Sequence, residues 1–176
     1  MFVSPVQHGT TLIEMLIGIA ILGILIAVGL PSYRGWIQNT QIRTAAESVL
    51  NGMQLARNEA VRRNINVQLV LGAQSTWTIT VPSTAEQIQT RTYGEGSKNV
   101  TVTKTPGAAT TITFSSLGRV VANADASATL TQLDFDVPAA ILSAAESRDL
   151  RILVSAGGNV RMCDPTVTNA SDTRFC

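Results

Sequence analysis

A chain of 176 residues with a formal net charge of +1 has room for one domain plus an appendage, and is too evenly balanced to signal a polyanionic partner. Charged residues make up only 14%, low for a soluble domain, and the apolar excess is concentrated in residues 15–30, which carry no charge. The single histidine, His8, lies near the N-terminus, so no histidine-based triad can form in the remainder. With no phosphate-binding loop and no spaced ligand cluster, the reading is a non-enzymatic protein with no cofactor and no metal site.

The first nine residues, MFVSPVQHG, precede an apolar stretch, which inverts the order of an ordinary secretory signal. Residues 10–30 as a helix span about 31 Å, enough to cross a hydrocarbon core. Glu14 interrupts this stretch near its start. A carboxylate at mid-depth costs about 2.5–3.5 kcal/mol on insertion scales. One reading places Glu14 at the interface, where it snorkels. The other is a cut after Gly9, which frees an α-amino group at Thr10, four residues before Glu14. In a packed bundle that amine neutralises Glu14 of a neighbour and turns a buried charge into a register device.

The string Gly9-Thr10-Thr11-Leu12-Ile13-Glu14, followed at once by the apolar run, resembles the prepilin cleavage motif of type IV pilins and type II secretion pseudopilins. The resemblance implies cleavage between Gly9 and Thr10, methylation of the new N-terminus at Thr10, and a filament-docking role for Glu14. Pro31 falls where such proteins carry a helix-loosening proline. Two features depart from the pattern: Thr10 stands where phenylalanine is usual, and the leader carries only His8 where a Lys or Arg is usual.

Beyond Pro31, Ile42, Ala46, Val49, Met53, Ala56 and Ala60 recur at spacings of three and four, an amphipathic stripe suited to a sheet. Arg43 with Glu47 and Glu59 with Arg63 form i,i+4 pairs on other faces. These signals predict one helix over 11–63, bent near Pro31 and closed by Asn64-Ile65-Asn66. Runs rich in Val, Ile and Thr then predict strands at 67–71, 76–81, 88–93, 100–104, 111–115, 133–137, 150–154 and 159–163. Gly157-Gly158 marks a tight turn, 122–128 an exposed loop, and 139–146 a short helix or loop. One long helix followed by strands implies an α+β fold with an antiparallel sheet or two. The expected organisation is a cleaved leader at 1–9, a transmembrane polymerisation helix at 10–31, an amphipathic helix at 32–63, and a β-rich domain at 64–176.

The two cysteines, Cys163 and Cys176, are close and terminal. After an export-type N-terminus they read as a disulfide, with two free thiols as the alternative. Asp134 and Asp136, two apart on a predicted strand, read as a solvated face, and Asp125 and Asp172 as loop residues.

Three later pieces narrow the resemblance. Gln54-Leu55-Ala56-Arg57-Asn58-Glu59-Ala60, Phe114-Ser115-Ser116-Leu117-Gly118-Arg119, and Gly158-Asn159-Val160-Arg161-Met162-Cys163 resemble, in that order, the GspH/FimT group of minor pilins and pseudopilins. The cysteine pair is similar to the FimT/FimU branch. The resemblance implies an inner-membrane protein with a single pass and a periplasmic C-terminal domain, later found in the pilus at the cell surface. Implied partners are the prepilin peptidase, other minor and major pilins, the inner-membrane assembly platform, and membrane lipid before assembly. The implied function is that of a minor pilin promoting pilus assembly, with roles in adhesion, twitching and DNA uptake. A type II secretion pseudopilin and a DNA-binding minor pilin of a competence pilus are the alternatives. For nucleic acid, the family's Gly-Arg-x-Arg pattern reads Gly158-Asn159-Val160-Arg161 here, which loses one arginine. The remaining candidates are Arg161, Arg148, Arg151 and Arg174, and a solvated strand edge explains them as well.

Overall fold

In a computed structural model of the chain the described residues are 10–176, so the expected leader, with His8 and the expected cleavage residue Gly9, lies outside them. The chain divides into two compact units, with the boundary between Trp36 and Ile37. A single helix, α1 (Leu12–Arg63), is continuous across that boundary and includes position 31.

In the first unit α1 exposes its apolar side chains. Leu12, Ile13, Leu16, Ile17, Ile24 and Leu25 each keep more than half of their surface exposed. The apolar window has a mean hydropathy of 2.6, and none of it is buried among the described residues. After it, the rings of Tyr33 and Trp36 stack 5.8 Å apart.

In the second unit the same helix is amphipathic, and all six stripe residues, from Ile42 to Ala60, are fully buried. The C-terminus closes as the hydrogen-bond pattern of a left-handed cap requires. Asn64 takes φ 55°, its N–H donates to the Val61 carbonyl, and the Ile65 N–H donates to Ala60.

Nine strands follow: β1 (Val67–Leu71), β2 (Trp77–Val81), β3 (Glu86–Arg91), β4 (Thr101–Thr105), β5 (Thr111–Phe114), β6 (Val120–Val121), β7 (Gln132–Asp136), β8 (Leu150–Val154) and β9 (Val160–Cys163). They form two antiparallel sheets, ordered β3-β2-β1-β5-β6 and β4-β7-β8-β9. Strands β1 and β2 alternate buried and half-buried residues, as half-covered strands do. Strand β5 is buried throughout. Helix stripe and both sheets contribute to one apolar cluster containing Met53, Leu69, Ile79, Phe114, Leu133, Phe135 and Ile152.

The predicted strands form, with shifts of one or two residues; β6 was not predicted, because two valines carry no period. Residues 139–146 are turns rather than a helix, with Leu142 buried. The 122–128 loop is not wholly exposed, because Asn123 is buried and holds it together. Its Nδ2 donates to the carbonyls of Thr111, Ser127 and Ala128, and its Oδ1 accepts from Thr113 Oγ1 at 2.9 Å.

Helix and sheet approach closely at Gly52. A Cβ there would lie 2.9 Å from Trp77 Cε2 and 3.1 Å from Leu69 Cδ1. The Trp77 ring is fixed by its Nε1–H, which donates to Ser48 Oγ at 2.9 Å. At the other end of this helical segment, Asn39 clasps the β7–β8 connection: Oδ1 accepts from the Arg148 N–H and Nδ2 donates to the Glu146 carbonyl.

Candidate functional site

At the start of α1, Thr10 precedes the helix, Thr11 is the N-cap, and Glu14 is the third helical residue. The Glu14 N–H donates to Thr11 Oγ1 at 3.3 Å, half of a capping box. Because Thr10 lies outside the helix, helical i,i+4 geometry does not bring its amine to Glu14 of the same chain. The helix dipole favours a first-turn carboxylate such as Glu14 by about 0.3–1 kcal/mol. The sequence reading missed this cap, although the Thr-x-x-Glu spacing carries its signal.

In the second unit the three pieces singled out in the sequence come together. The Arg57 guanidinium donates through Nε to the Gly118 carbonyl at 3.0 Å. Gly118 has φ +70°, and a Cβ there would crowd Arg57 Nε and Val61 Cγ2. Gly158 has φ +82°, and a Cβ there would overlap the Gly118 carbonyl oxygen. Both positions therefore require glycine for conformation and for space. The β5–β6 turn of one sheet and the β8–β9 turn of the other thus close on one arginine of α1. The Val120 N–H, donating to the Ala156 carbonyl at 3.1 Å, adds a second tie between the turns. Sequence reasoning quoted these glycines without foreseeing the contact, since neither turn type nor motif says which loops meet.

The C-terminus is closed by a disulfide between Cys163 and Cys176, with Cα atoms 5.2 Å apart. Within the closed loop Arg174 pairs with Asp172 at 2.8 Å and holds that carboxyl down at about 2. Asp164 Oδ1 accepts from both the N–H and the hydroxyl of Thr166.

The basic candidates are differently engaged. Arg151 pairs with Asp134 at 2.6 Å, and Arg161 donates to the Cys176 carbonyl at 3.0 Å. With Arg174 held by Asp172, only the Arg148 side chain among these four makes no polar contact among the described residues. The expected solvated face of Asp134 and Asp136 is thus half right: Asp134 is committed to Arg151, while Asp136 is exposed. Asp136 and Asp149 both accept from Ser147 Oγ. Burial first, and then the charge of Asp136, raises the Asp149 carboxyl. Among the described residues no group of three or more metal-ligating side chains is close enough to hold an ion.

Two family models match the chain: Type II transport protein GspH over residues 45–158, and the prokaryotic N-terminal methylation motif over residues 5–30. The chain belongs to the GspH family. The GspH match spans Arg57, Gly118 and Gly158, so the family's shared segment is the one that folds into this junction. Two fimbrial proteins of Pseudomonas aeruginosa are each 40% identical over 55 residues, covering 31% of this chain. The match takes in 35% of each of those relatives, about a third of their length. Among solved structures, two crystal forms of the Pseudomonas aeruginosa type IV minor pilin FimU resemble this GspH-family chain with a TM-score of 0.51 and 16% identity. They cover 73% and 72% of this chain and 95% and 99% of theirs, a likeness of fold. The fold is α+β and pilin-like, a long N-terminal helix packed on antiparallel sheets.

Proposed function

We propose that this GspH-family chain is a minor pilin: a structural, non-enzymatic subunit that is cut after Gly9, held in the inner membrane by α1, and then built into a type IV pilus whose assembly it promotes. The observation that carries this is α1 itself. Its first part exposes an apolar surface with no partner among the described residues, while its second part is buried in a folded domain. Such a surface requires lipid first and other helices afterwards. The stacked Tyr33 and Trp36 suit the level of the membrane interface. The carboxylate of Glu14, at the start of the exposed apolar stretch, suits a partner amine, and the Thr10 terminus of a neighbouring subunit is that partner. The prepilin peptidase, other pilins and the assembly platform are the remaining partners, and the C-terminal domain resides in the periplasm before export.

The family's own description as a type II transport protein supports a second reading, a pseudopilin in which the same helix serves a secretion filament. DNA binding is not favoured, since Arg151 and Arg174 are neutralised by carboxylates of the chain.

The test is co-expression with a prepilin peptidase and a pilus assembly system. The chain is expected to lose its nine-residue leader, gain an N-methyl group at Thr10, and appear in sheared pili. Glu14→Ala is expected to stay in the membrane and be depleted from pili. A precursor that is never shortened, or pili that incorporate Glu14→Ala at the normal level, would overturn this reading. Recovery only with secretion components would favour the pseudopilin.

A further inference from the structure

Beside the Arg57–Gly118–Gly158 junction lies a cleft of about 190 Å³ between α1 and the β8–β9 turn, lined by Gln54, Arg57, Asn58, Gly158, Asn159 and Val160. Its size is below the roughly 300 Å³ at which small-molecule sites begin, and suits one or two side chains of another protein. Gln54, Asn58 and Asn159 line the cleft as exposed residues whose side-chain amides make no hydrogen bond within the described residues, so a partner can meet them without breaking a contact of the fold. Arg57 is the single charge in the lining and has no carboxylate partner among the described residues. Its Nε is spent on the Gly118 carbonyl, which fixes the guanidinium plane and leaves the Nη donors available. A guanidinium already held in place loses little freedom on binding, and its remaining edge matches a carboxylate in two-point geometry.

We propose that this cleft is a docking site for an acidic, extended segment of a neighbouring pilin-like subunit, its carboxylate on Arg57 and its backbone on the three amides. The partner class rests on the minor-pilin reading. Charge complementarity selects the occupant: the lining is cationic, and Arg119, next to Gly118, also lacks a carboxylate partner among the described residues. Amides that both donate and accept suit a peptide backbone. Single-stranded nucleic acid is disfavoured because the lining offers no aromatic ring for base stacking.

The test uses the full-length chain in cells that assemble pili, with a photo-crosslinking residue replacing Gln54 at the rim. Leader removal and recovery in sheared pili report the minor-pilin reading; the adduct reports the docking site. Because Arg57 variants would also break the Gly118 contact, the informative change is Asn58→Asp with Asn159→Asp, which adds repulsive carboxylates where no contact within the fold is lost. The expected result is an adduct with another pilin subunit whose yield falls about tenfold in the double variant, at an unchanged thermal midpoint. An adduct insensitive to the double variant, no adduct from a chain that is present in pili, or adducts to nucleic acid alone would each overturn the docking site and leave the minor-pilin reading standing. A chain that is never processed and never enters pili would remove both.

Discussion

Replacing Gly52 with alanine sets two effects against each other, and the structure says which wins. In a helix interior alanine is favoured over glycine by about 0.8–1 kcal/mol. Here, however, the new Cβ would lie 2.9 and 3.0 Å from two atoms of the Trp77 ring and 3.1 Å from Leu69 Cδ1. Leu69 can turn, but the Trp77 ring is 3% exposed and held by Ser48. Overpacking of this kind costs about 1–3 kcal/mol. Displacing the ring also weakens a buried hydrogen bond, whose full loss costs about 1–3 kcal/mol. The net expectation is a destabilisation of about 1–3 kcal/mol, a fall of roughly 2–10 °C in melting temperature for a domain of this size. The assay is thermal unfolding of the full chain in detergent, followed by circular dichroism, which reads variants with and without Trp77 alike. Trp77→Phe should then absorb part of the penalty, so that the double variant is less unstable than the two single changes predict. An unchanged or raised midpoint for Gly52→Ala would refute the reasoning, since helix propensity would have prevailed over packing.

Gly158→Ala should cost more than about 2 kcal/mol, because an unfavourable left-handed backbone and a clash with a carbonyl oxygen act together; chemical denaturation checks this, and β8–β9 amides should lose hydrogen-exchange protection first. Opening the Cys163–Cys176 bridge with Cys163→Ser and Cys176→Ser should lower stability by about 3 kcal/mol, the cost of releasing a loop of this length in the unfolded chain; denaturation with and without reductant reads it. Asp149 is raised by burial and by Asp136 and Asp164, so its ionised form is disfavoured in the fold and stability falls as pH rises through its folded value. Asp149→Asn should therefore raise the melting temperature at pH 7, and the gain should shrink as the pH is lowered toward the ordinary carboxylate range. Asp172 has the opposite sign: held at about 2 by Arg174, it contributes stability above its ordinary value near 3.8 that is lost as pH falls through about 2. Asp172→Asn should remove that acid-side dependence in a pH series of melting curves.

The sequence by itself determined the helix and its two characters. The stripe from Ile42 to Ala60 is a local period, and local periods survive without knowledge of the fold. Glu14 was legible as an anomaly because charge in an apolar run is a composition fact; the Thr11 cap was not read, although the Thr11-x-x-Glu14 spacing carries its signal. Strands with alternating burial, such as β1 and β2, were legible for the same reason, and so was the cysteine pair. The sheet order was not. Strand β5 leaves β4 to pair with β1, and β7 returns to pair with β4, choices made by long-range contacts that no local pattern encodes. Nor could the sequence say that Arg57, Gly118 and Gly158, far apart in the chain, would meet. Each had a local signature, a helical arginine and two turn glycines. Only tertiary packing brought two turns from different sheets onto one helix face and left a cleft beside them, because loop-to-loop contact depends on where every other element has already been placed.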